Sequence, residues 1–210
     1  MSILFFWLVI ILIILAGARI WVTLNWSRIK GAGGERFIIK KLSHLNPAQY
    51  KVLNDILIPS RGNTLTTQID HIVVSNYGIF VIETKDYDGW IFGNAKQEYW
   101  TRVIYKYKDR IRNPIWQNYG HIKAVEELVQ NVKPNILIIP FVAFPVTDKL
   151  KVSGTDCVGR GRDLINKILS YKQEVITDFE RDKIVAIIES ANIQDKEARK
   201  KHIRDVKNIK

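Results

Sequence analysis

The sequence predicts an α/β (α+β) domain, a mixed β-sheet flanked by helices, preceded by one transmembrane helix. Short apolar runs separated by Gly, Pro and Asn turns fill the middle of the chain, and segments with helical spacing lie before and after them. A long uncharged apolar segment opens the chain. A formal net charge of +11 beside 47% hydrophobic residues excludes a disordered tail.

The first element is an apolar segment at residues 3–24, of which residues 3–18 carry no charge. About 22 residues at ~1.5 Å rise each cross the hydrocarbon core of a bilayer. A cleaved signal peptide is the alternative, because Ala16-Gly17-Ala18 has the small residues of a cleavage site. The segment lacks a basic n-region, however, so we predict an uncleaved single-pass anchor in the lipid bilayer.

Charges beside this segment predict its orientation. No Lys or Arg precedes it, whereas a basic flank follows it closely: Arg28, Lys30, Arg36, Lys40 and Lys41. The positive-inside rule therefore predicts a cell-membrane protein with its N-terminus outside and its C-terminal domain in the cytoplasm. A single cysteine, Cys157, excludes a disulfide framework and a Cys-based zinc cluster, and it fits a reducing compartment.

After the anchor we predict a short linker at 25–34, in which Gly31–Gly34 is a hinge, and a main domain at 31–150. A strand and helices at 151–192 are expected to pack on this domain, and a basic tail follows at 193–210. The tail is typical of a solvated helix, with contact to nucleic acid or anionic lipid as the alternative.

Within the main domain, a helix of about three turns is predicted from Glu35 by the helical spacing of apolar residues. Strands are then predicted at 50–58, 68–74, 79–85, 89–92 and 99–105. Asn113-Pro114 supplies an N-cap and a first residue for a helix to about Lys133. A buried strand at 135–144, a weaker strand at 151–158 and helices at 162–171 and 177–190 complete the chain.

The turn Ser75–Gly78 predicts a hairpin that pairs Val74 with Ile79 and therefore places Asp70 opposite Glu83 on one face. Lys85 lies two residues beyond Glu83 and shares that face. Two adjacent carboxylates need a positive charge between them. A surface ion pair with Lys85 is one interpretation, and a divalent cation is the other. Two carboxylates leave room for water and a phosphate oxygen, an arrangement that Mg²⁺ favours.

Other polar residues are candidates beside this face. Glu35 begins the first predicted helix, where it could reach the end of the sheet or simply complement the helix dipole. Gln117 stands in the first turn of the helix after Pro114 and could orient water or phosphate, or be an exposed polar residue. His121 follows four residues later on the same stripe and is interpreted as a polar helix residue. His71 points away from Asp70 and is interpreted as structural.

Five ordered blocks between about Gly31 and Leu128 resemble the NERD (nuclease-related) domain. They are Gly34-Glu35, Gln68–Val74, Gly78–Lys85, Gly89-Trp90-Ile91, and Asn113-Pro114 with Gln117, Asn118 and His121. This family is placed in the PD-(D/E)xK nuclease-like superfamily, so the resemblance implies a restriction-endonuclease-like core. Membrane-anchored members occur in bacteria, a pattern that the N-terminal segment fits.

The resemblance also implies roles for individual residues. Asp70 and Glu83 would be ligands of Mg²⁺ (or Mn²⁺), Lys85 would assist catalysis, and Glu35 and Gln117 would be accessory residues of the site. Ile69 stands where the name of the superfamily has Pro, a departure that removes no ligand.

Three functions follow as expectations. The first is a membrane-anchored, Mg²⁺-dependent nuclease that hydrolyses DNA on the cytoplasmic side, with RNA left open as a substrate. The second is a non-catalytic nucleic-acid-binding module tethered to the membrane. Its contacts would come from a basic stretch interleaved with tyrosines, for which a solvated hairpin is the alternative: Arg102, Lys106, Lys108, Arg110 and Arg112. The third is adhesion of the basic surface to the anionic inner leaflet.

Overall fold

The computed structural model describes residues 3–61 and 64–209, without the side chains of residues 3, 4, 24–30 and 209. Two parts of the predicted basic segments therefore lie outside the described residues. They are the side chains of Arg28 and Lys30 in the basic flank, and Lys210 at the end of the basic tail. The chain divides into two compact units, Met1–Gly33 and Gly34–Lys210.

Helix α1 (Ile3–Leu42) begins the described chain. Its segment Phe5–Thr23 is long and apolar enough to cross a membrane, and none of that segment is buried within the structure. The helix continues through Gly31–Gly34, where the sequence predicted a hinge before a separate three-turn helix. That prediction was wrong for a physical reason: Gly weakens a helix by about 1 kcal/mol relative to Ala without excluding it.

The second unit contains nine strands within the described residues. They are β1 (Tyr50–Pro59), β2 (Thr66–Ser75), β3 (Gly78–Thr84), β4 (Trp90–Asn94), β5 (Tyr99–Ile104), β6 (Tyr107–Arg112), β7 (Ile138–Phe144), β8 (Lys149–Ser153) and β9 (Val158–Arg160). Four further helices are α2 (Pro114–Val129), α3 (Leu164–Leu169), α4 (Asp178–Ala191) and α5 (Lys196–Ile209).

The strands form two mixed sheets, where the sequence predicted one. The first sheet has the order β1-β2-β3-β7-β9, and the second has the order β6-β5-β4-β8. Strands β1, β2 and β3 are antiparallel neighbours, whereas β7 runs parallel to β3. The β2–β3 hairpin has the predicted register, from Val74 opposite Ile79 to His71 opposite Ile82.

Helices cover both faces of the first sheet, as its almost uniformly apolar central strands require. On one face, α2 and α4 contribute buried residues such as Val125 and Ile184. On the other face, the C-terminal part of α1 and helix α3 contribute residues such as Ile38 and Leu164. A third cluster around Trp100 joins the second sheet to β7. The candidate site lies where β2, β3 and α2 meet.

Helix α2 begins as its sequence predicts. The side chain of Asn113 accepts a hydrogen bond from the Ile115 backbone N–H at 2.9 Å, and Pro114 is the first helical residue. One turn later, the buried Asn118 side chain donates to the backbone carbonyls of Val81 (3.0 Å) and Phe141 (3.3 Å). This amide fixes the first turns of α2 against both β3 and β7.

Candidate active site

Glu83 is a carboxylate buried near the end of β3, with 2% of its surface exposed. Its Oε1 lies 2.5 Å from Lys85 Nζ, and its Oε2 lies 3.0 Å from His121 Nε2. Burial would raise the pKa of Glu83, but Lys85 and His121 together bring it down to about 2. Burial would lower the pKa of Lys85, but the charge of Glu83 raises it instead. Both groups therefore carry their charges at neutral pH.

Asp70 lies on β2 beside this ion pair. Its Oδ2 accepts a hydrogen bond from the Thr84 backbone N–H at 2.7 Å. Burial and the charge of Glu83 nevertheless raise the pKa of Asp70 well above its usual range, against the opposing effects of Thr84 N–H and Lys85. A positive charge placed beside Asp70 would therefore favour its ionised form.

Two side chains of α2 complete the contacts of this ion pair. Gln117 Oε1 accepts a hydrogen bond from Lys85 Nζ at 2.8 Å. His121 is buried, and its Nδ1 lies 2.7 Å from Thr67 Oγ1 on β2. In this arrangement the His121 ring bridges the two strands, with Nε2 facing Glu83 Oε2 and Nδ1 facing the Thr67 hydroxyl.

The sequence predicted only a polar helix residue at His121. In the structure His121 contacts Glu83 directly and so belongs to the candidate site. Its spacing of four residues from Gln117 was the signal that could have identified it. His71 is buried on the opposite side of β2, as expected, and its Nδ1 lies 2.8 Å from Asn54 Oδ1. Burial lowers the pKa of His71 to about 4, against the charge of Glu83, so this imidazole stays neutral at pH 7.

Glu35 on α1 is exposed, yet it lies close enough to the carboxylates to be affected by them. Partial burial and the charges of Asp55 and Glu83 raise its pKa. The neighbouring Gly34 explains this approach, since a Cβ at that position would lie 2.7 Å from Cβ of Asp86 in the loop after β3. Only glycine allows α1 to pack so closely against this loop.

Asp55 is an acidic neighbour that the sequence analysis did not identify. It lies in β1 with a left-handed backbone (φ 54°), and Arg199 of α5 donates to its Oδ1 and Oδ2 at 3.0 and 2.9 Å. A second contact of α5 joins His202 Nδ1 to Thr66 Oγ1 on β2 at 2.9 Å. The predicted basic tail is therefore helical, as expected, but one side of it is docked on the first sheet.

The docked side of α5 changes the titration of His202. Burial lowers the pKa of His202, and the charges of His121 and Arg199 lower it further. The Thr66 backbone and Asp205 act in the opposite direction and raise this pKa.

The predicted nucleic-acid-binding residues separate onto different sides of the β5–β6 hairpin. Arg102 faces inward, where it pairs with Asp109 and lies 5.2 Å from the ring centre of Tyr87. Lys108, Arg110 and Arg112 are exposed on β6. Lys106 lies in the exposed turn between the two strands. Arg102 of β5 is paired with Asp109, whereas Lys108, Arg110 and Arg112 alternate with Asp109 and Ile111 and therefore share the other side of the sheet.

Whether the site fits a metal ion depends on its oxygen donors. Within residues 3–61 and 64–209, no group of three or more His, Cys, Asp or Glu side chains is arranged to hold a metal. Asp70 and Glu83 are nevertheless two hard oxygen donors, and a cation between them would oppose the burial and the charge of Glu83 that raise the pKa of Asp70. Mg²⁺ suits such a pair because it retains several waters beside one or two carboxylates.

The chain is similar to known proteins in two comparisons. A family model described as NERD, nuclease-related domain, matches residues 30–145. The chain is similar to an uncharacterized protein of Bacillus anthracis, with 38% identity over 180 residues that cover 85% of this chain and 84% of that protein. No solved structure matches the chain.

Proposed function

Because the chain belongs to the NERD family of nuclease-related domains, we propose that it is a Mg²⁺- or Mn²⁺-dependent nuclease that hydrolyses DNA phosphodiester bonds. The observation that carries this proposal is the contact of Glu83 with Lys85 and His121 beside a second, half-buried carboxylate, Asp70. Burying charged groups costs free energy. Charged groups with shifted pKa values cluster at catalytic sites, and a hydrolytic site is one of these.

Asp70 and Glu83 would hold the ion, which supplies Lewis acidity toward the phosphodiester. Hydrolysis adds water across the P–O bond, so that the hydroxyl joins phosphorus and the leaving oxygen gains a proton. Lys85 Nζ, held between Glu83 Oε1 and Gln117 Oε1, stays positive and can stabilise the negative charge that develops on the phosphate oxygens. The amide of Gln117 can orient the attacking water.

His121 and Thr67 act on this chemistry through Glu83. The contacts from Thr67 Oγ1 to His121 Nδ1 and from His121 Nε2 to Glu83 Oε2 hold one carboxylate oxygen in place. Hydrogen bonds of this kind orient a carboxylate that binds a cation. We therefore assign both residues a positioning role.

We further propose that residues 3–24 anchor the protein in the cell membrane. The apolar helix Phe5–Thr23 supports a single span, and the basic residues after it support an N-terminus outside and a cytoplasmic C-terminal domain. The formal net charge of +11 favours a polyanionic substrate.

The test is cleavage of supercoiled plasmid DNA by the full chain in detergent, with structured RNA assayed in parallel. We expect nicking with Mg²⁺ or Mn²⁺, none with EDTA, and a loss of at least about 100-fold in Asp70→Asn and Glu83→Gln, the scale of removing one electrostatic catalytic group. Glu189→Gln, an exposed carboxylate of α4, is the matched control. Equal cleavage by the two site variants and the control would overturn the proposal.

A second function, nucleic-acid binding without cleavage, is favoured by one observation. Both oxygens of Glu83 already have donors, Lys85 and His121, so the buried carboxylate is satisfied without an ion. DNA binding that persists in EDTA and falls with salt, together with intact plasmid in Mg²⁺, would favour this function over hydrolysis.

A further inference from the structure

The second sheet has one face in the core and one face open. Ile91, Trp100 and Ile111 point inward, and side chains alternate along a strand, so their neighbours lie on the outer side. Cross-strand pairs align Lys149, Trp90, Val103 and Lys108 in one row, because Trp90 is opposite both Lys149 and Val103, and Val103 is opposite Lys108. We name this outer side the aromatic–basic face and define it by Trp90, Phe92, Tyr99, Lys108, Arg110 and Lys149.

Two aromatic rings on this face are exposed. Trp90 is 46% exposed and Tyr99 is 39% exposed. A shallow depression of about 390 Å³ lies beside Trp90 and is lined by Phe92, Thr101, Val103 and Lys108. Exposed aromatic surface of this kind indicates a binding site.

Cations accompany the rings. Lys149 Nζ lies 4.4 Å from the centre of the Trp90 ring, and Arg110 lies 4.2 Å from that of Tyr99. Lys108 on β6 adds a third positive side chain at the rim of the depression. The charge complementarity therefore points to an anionic ligand that also carries flat apolar rings.

We propose that the aromatic–basic face binds single-stranded nucleic acid, with bases stacked on Trp90 and phosphates paired with Lys108, Arg110 and Lys149. This inference rests on the proposed function only because it takes nucleic acid as the substrate. It adds that this nucleic acid is single-stranded. Stacking on aromatic side chains accepts every base and is stronger than an exposed cation–π contact. A base therefore replaces Lys149 over Trp90, and the displaced ammonium becomes free to pair with a phosphate.

The face lies close to the candidate site along the sequence. Strand β4, which carries Trp90, begins shortly after Lys85, and the intervening loop holds Tyr87 against Arg102 of β5. A duplex hides its base faces in the helical stack, so it would meet the basic side chains but not the rings. The face therefore selects single strands over duplex.

The test is fluorescence anisotropy of a labelled 15-nucleotide oligothymidine with the full chain in detergent and EDTA, where no cleavage competes. We expect Trp90→Ala to weaken binding about tenfold and Trp90→Phe to retain it, as loss of one stacked base predicts. Lys108→Gln and Lys149→Gln should each reduce the salt dependence by about 0.7 in slope. Lys183→Gln, an exposed lysine of α4, is the matched control and should bind as the parent chain does.

A hairpin duplex of equal length should bind more weakly and respond little to Trp90→Ala. Unchanged oligothymidine binding by natively folded Trp90→Ala would overturn the inference, as would equal losses in Lys183→Gln and Lys149→Gln. If Trp90→Ala does not fold, Trp90→Leu provides the same comparison with Trp90→Phe. Displacement of the oligonucleotide by phosphatidylglycerol vesicles, weakened by the same variants, would assign the face to lipid instead. Plasmid that stays intact while oligothymidine binding depends on Trp90 contradicts only the proposed hydrolysis.

Discussion

Replacing Lys85 by Met tests whether the Glu83–Lys85 pair is a buried ion pair or an ordinary surface contact. The two charges lie 2.5 Å apart, and the exposed fractions of their side chains are 18% for Lys85 and 3% for Glu83. With an effective dielectric constant of about 20, this separation corresponds to roughly 6–7 kcal/mol of attraction. His121 still contacts Glu83 in the variant, so we expect the free energy of unfolding to fall by about 3–5 kcal/mol.

The assay is urea unfolding of the purified chain at pH 7, followed by circular dichroism. Lys123→Met is the matched control, because Lys123 pairs with Glu126 at 2.7 Å while about half of each side chain is exposed. Surface pairs of this kind contribute about 0–1 kcal/mol. If Lys85→Met and Lys123→Met lose similar, small amounts of stability, Glu83 is not the buried charge described above. Glu83→Gln combined with Lys85→Met should recover part of the loss, since no unpaired charge then remains.

Three further predictions concern residues around the site. Gly34→Ala should destabilise the protein by about 1–3 kcal/mol through overpacking against Asp86, whereas Gly31→Ala, with open space around it, should be neutral or stabilising in the same urea experiment. His121→Ala should cost about 1–3 kcal/mol by the same measure and slow plasmid cleavage, because one oxygen of Glu83 loses its donor. The pKa of His202 is lowered from its ordinary 6.5 by burial, so its contribution to stability should be complete above that pH and decline below it. Melting temperatures of His202→Gln between pH 7 and pH 5 should therefore fall less than those of the parent chain.

The pairing of the β2–β3 hairpin could be predicted because it depends on residues that are close to one another in the sequence. A four-residue turn between two β-branched runs leaves one register that buries every apolar side chain, and the structure has that register from Val74–Ile79 to His71–Ile82. The N-cap of α2 at Asn113 was predictable for the same reason. The fold class and the family followed from these local patterns and the motif blocks.

Contacts between distant segments could not be predicted in this way. Asp55 lies in an ordinary strand pattern, and nothing near it in the sequence indicates that Arg199 binds it or that it lies close to Glu35. The division of the basic stretch into an inner Arg102 and an outer Lys108 depends on which face of the second sheet packs against β7. The continuity of α1 through Gly31 depends on small propensity differences that composition alone does not resolve.

The contacts of Glu83 also bear on how the domain folds. Its hairpin partners are near in sequence, but His121 lies 38 residues away along the chain. An isolated hairpin closes in about 1–10 μs, well before a distant helix is in place. Until α2 docks, Glu83 at the end of β3 would lack the imidazole of His121 as a hydrogen-bond donor. The hairpin alone therefore does not satisfy both oxygens of this carboxylate. We therefore expect the carboxylate cluster to assemble only as α2 docks. A truncated chain that ends before α2 would carry the two carboxylates without the α2 side chains that contact them.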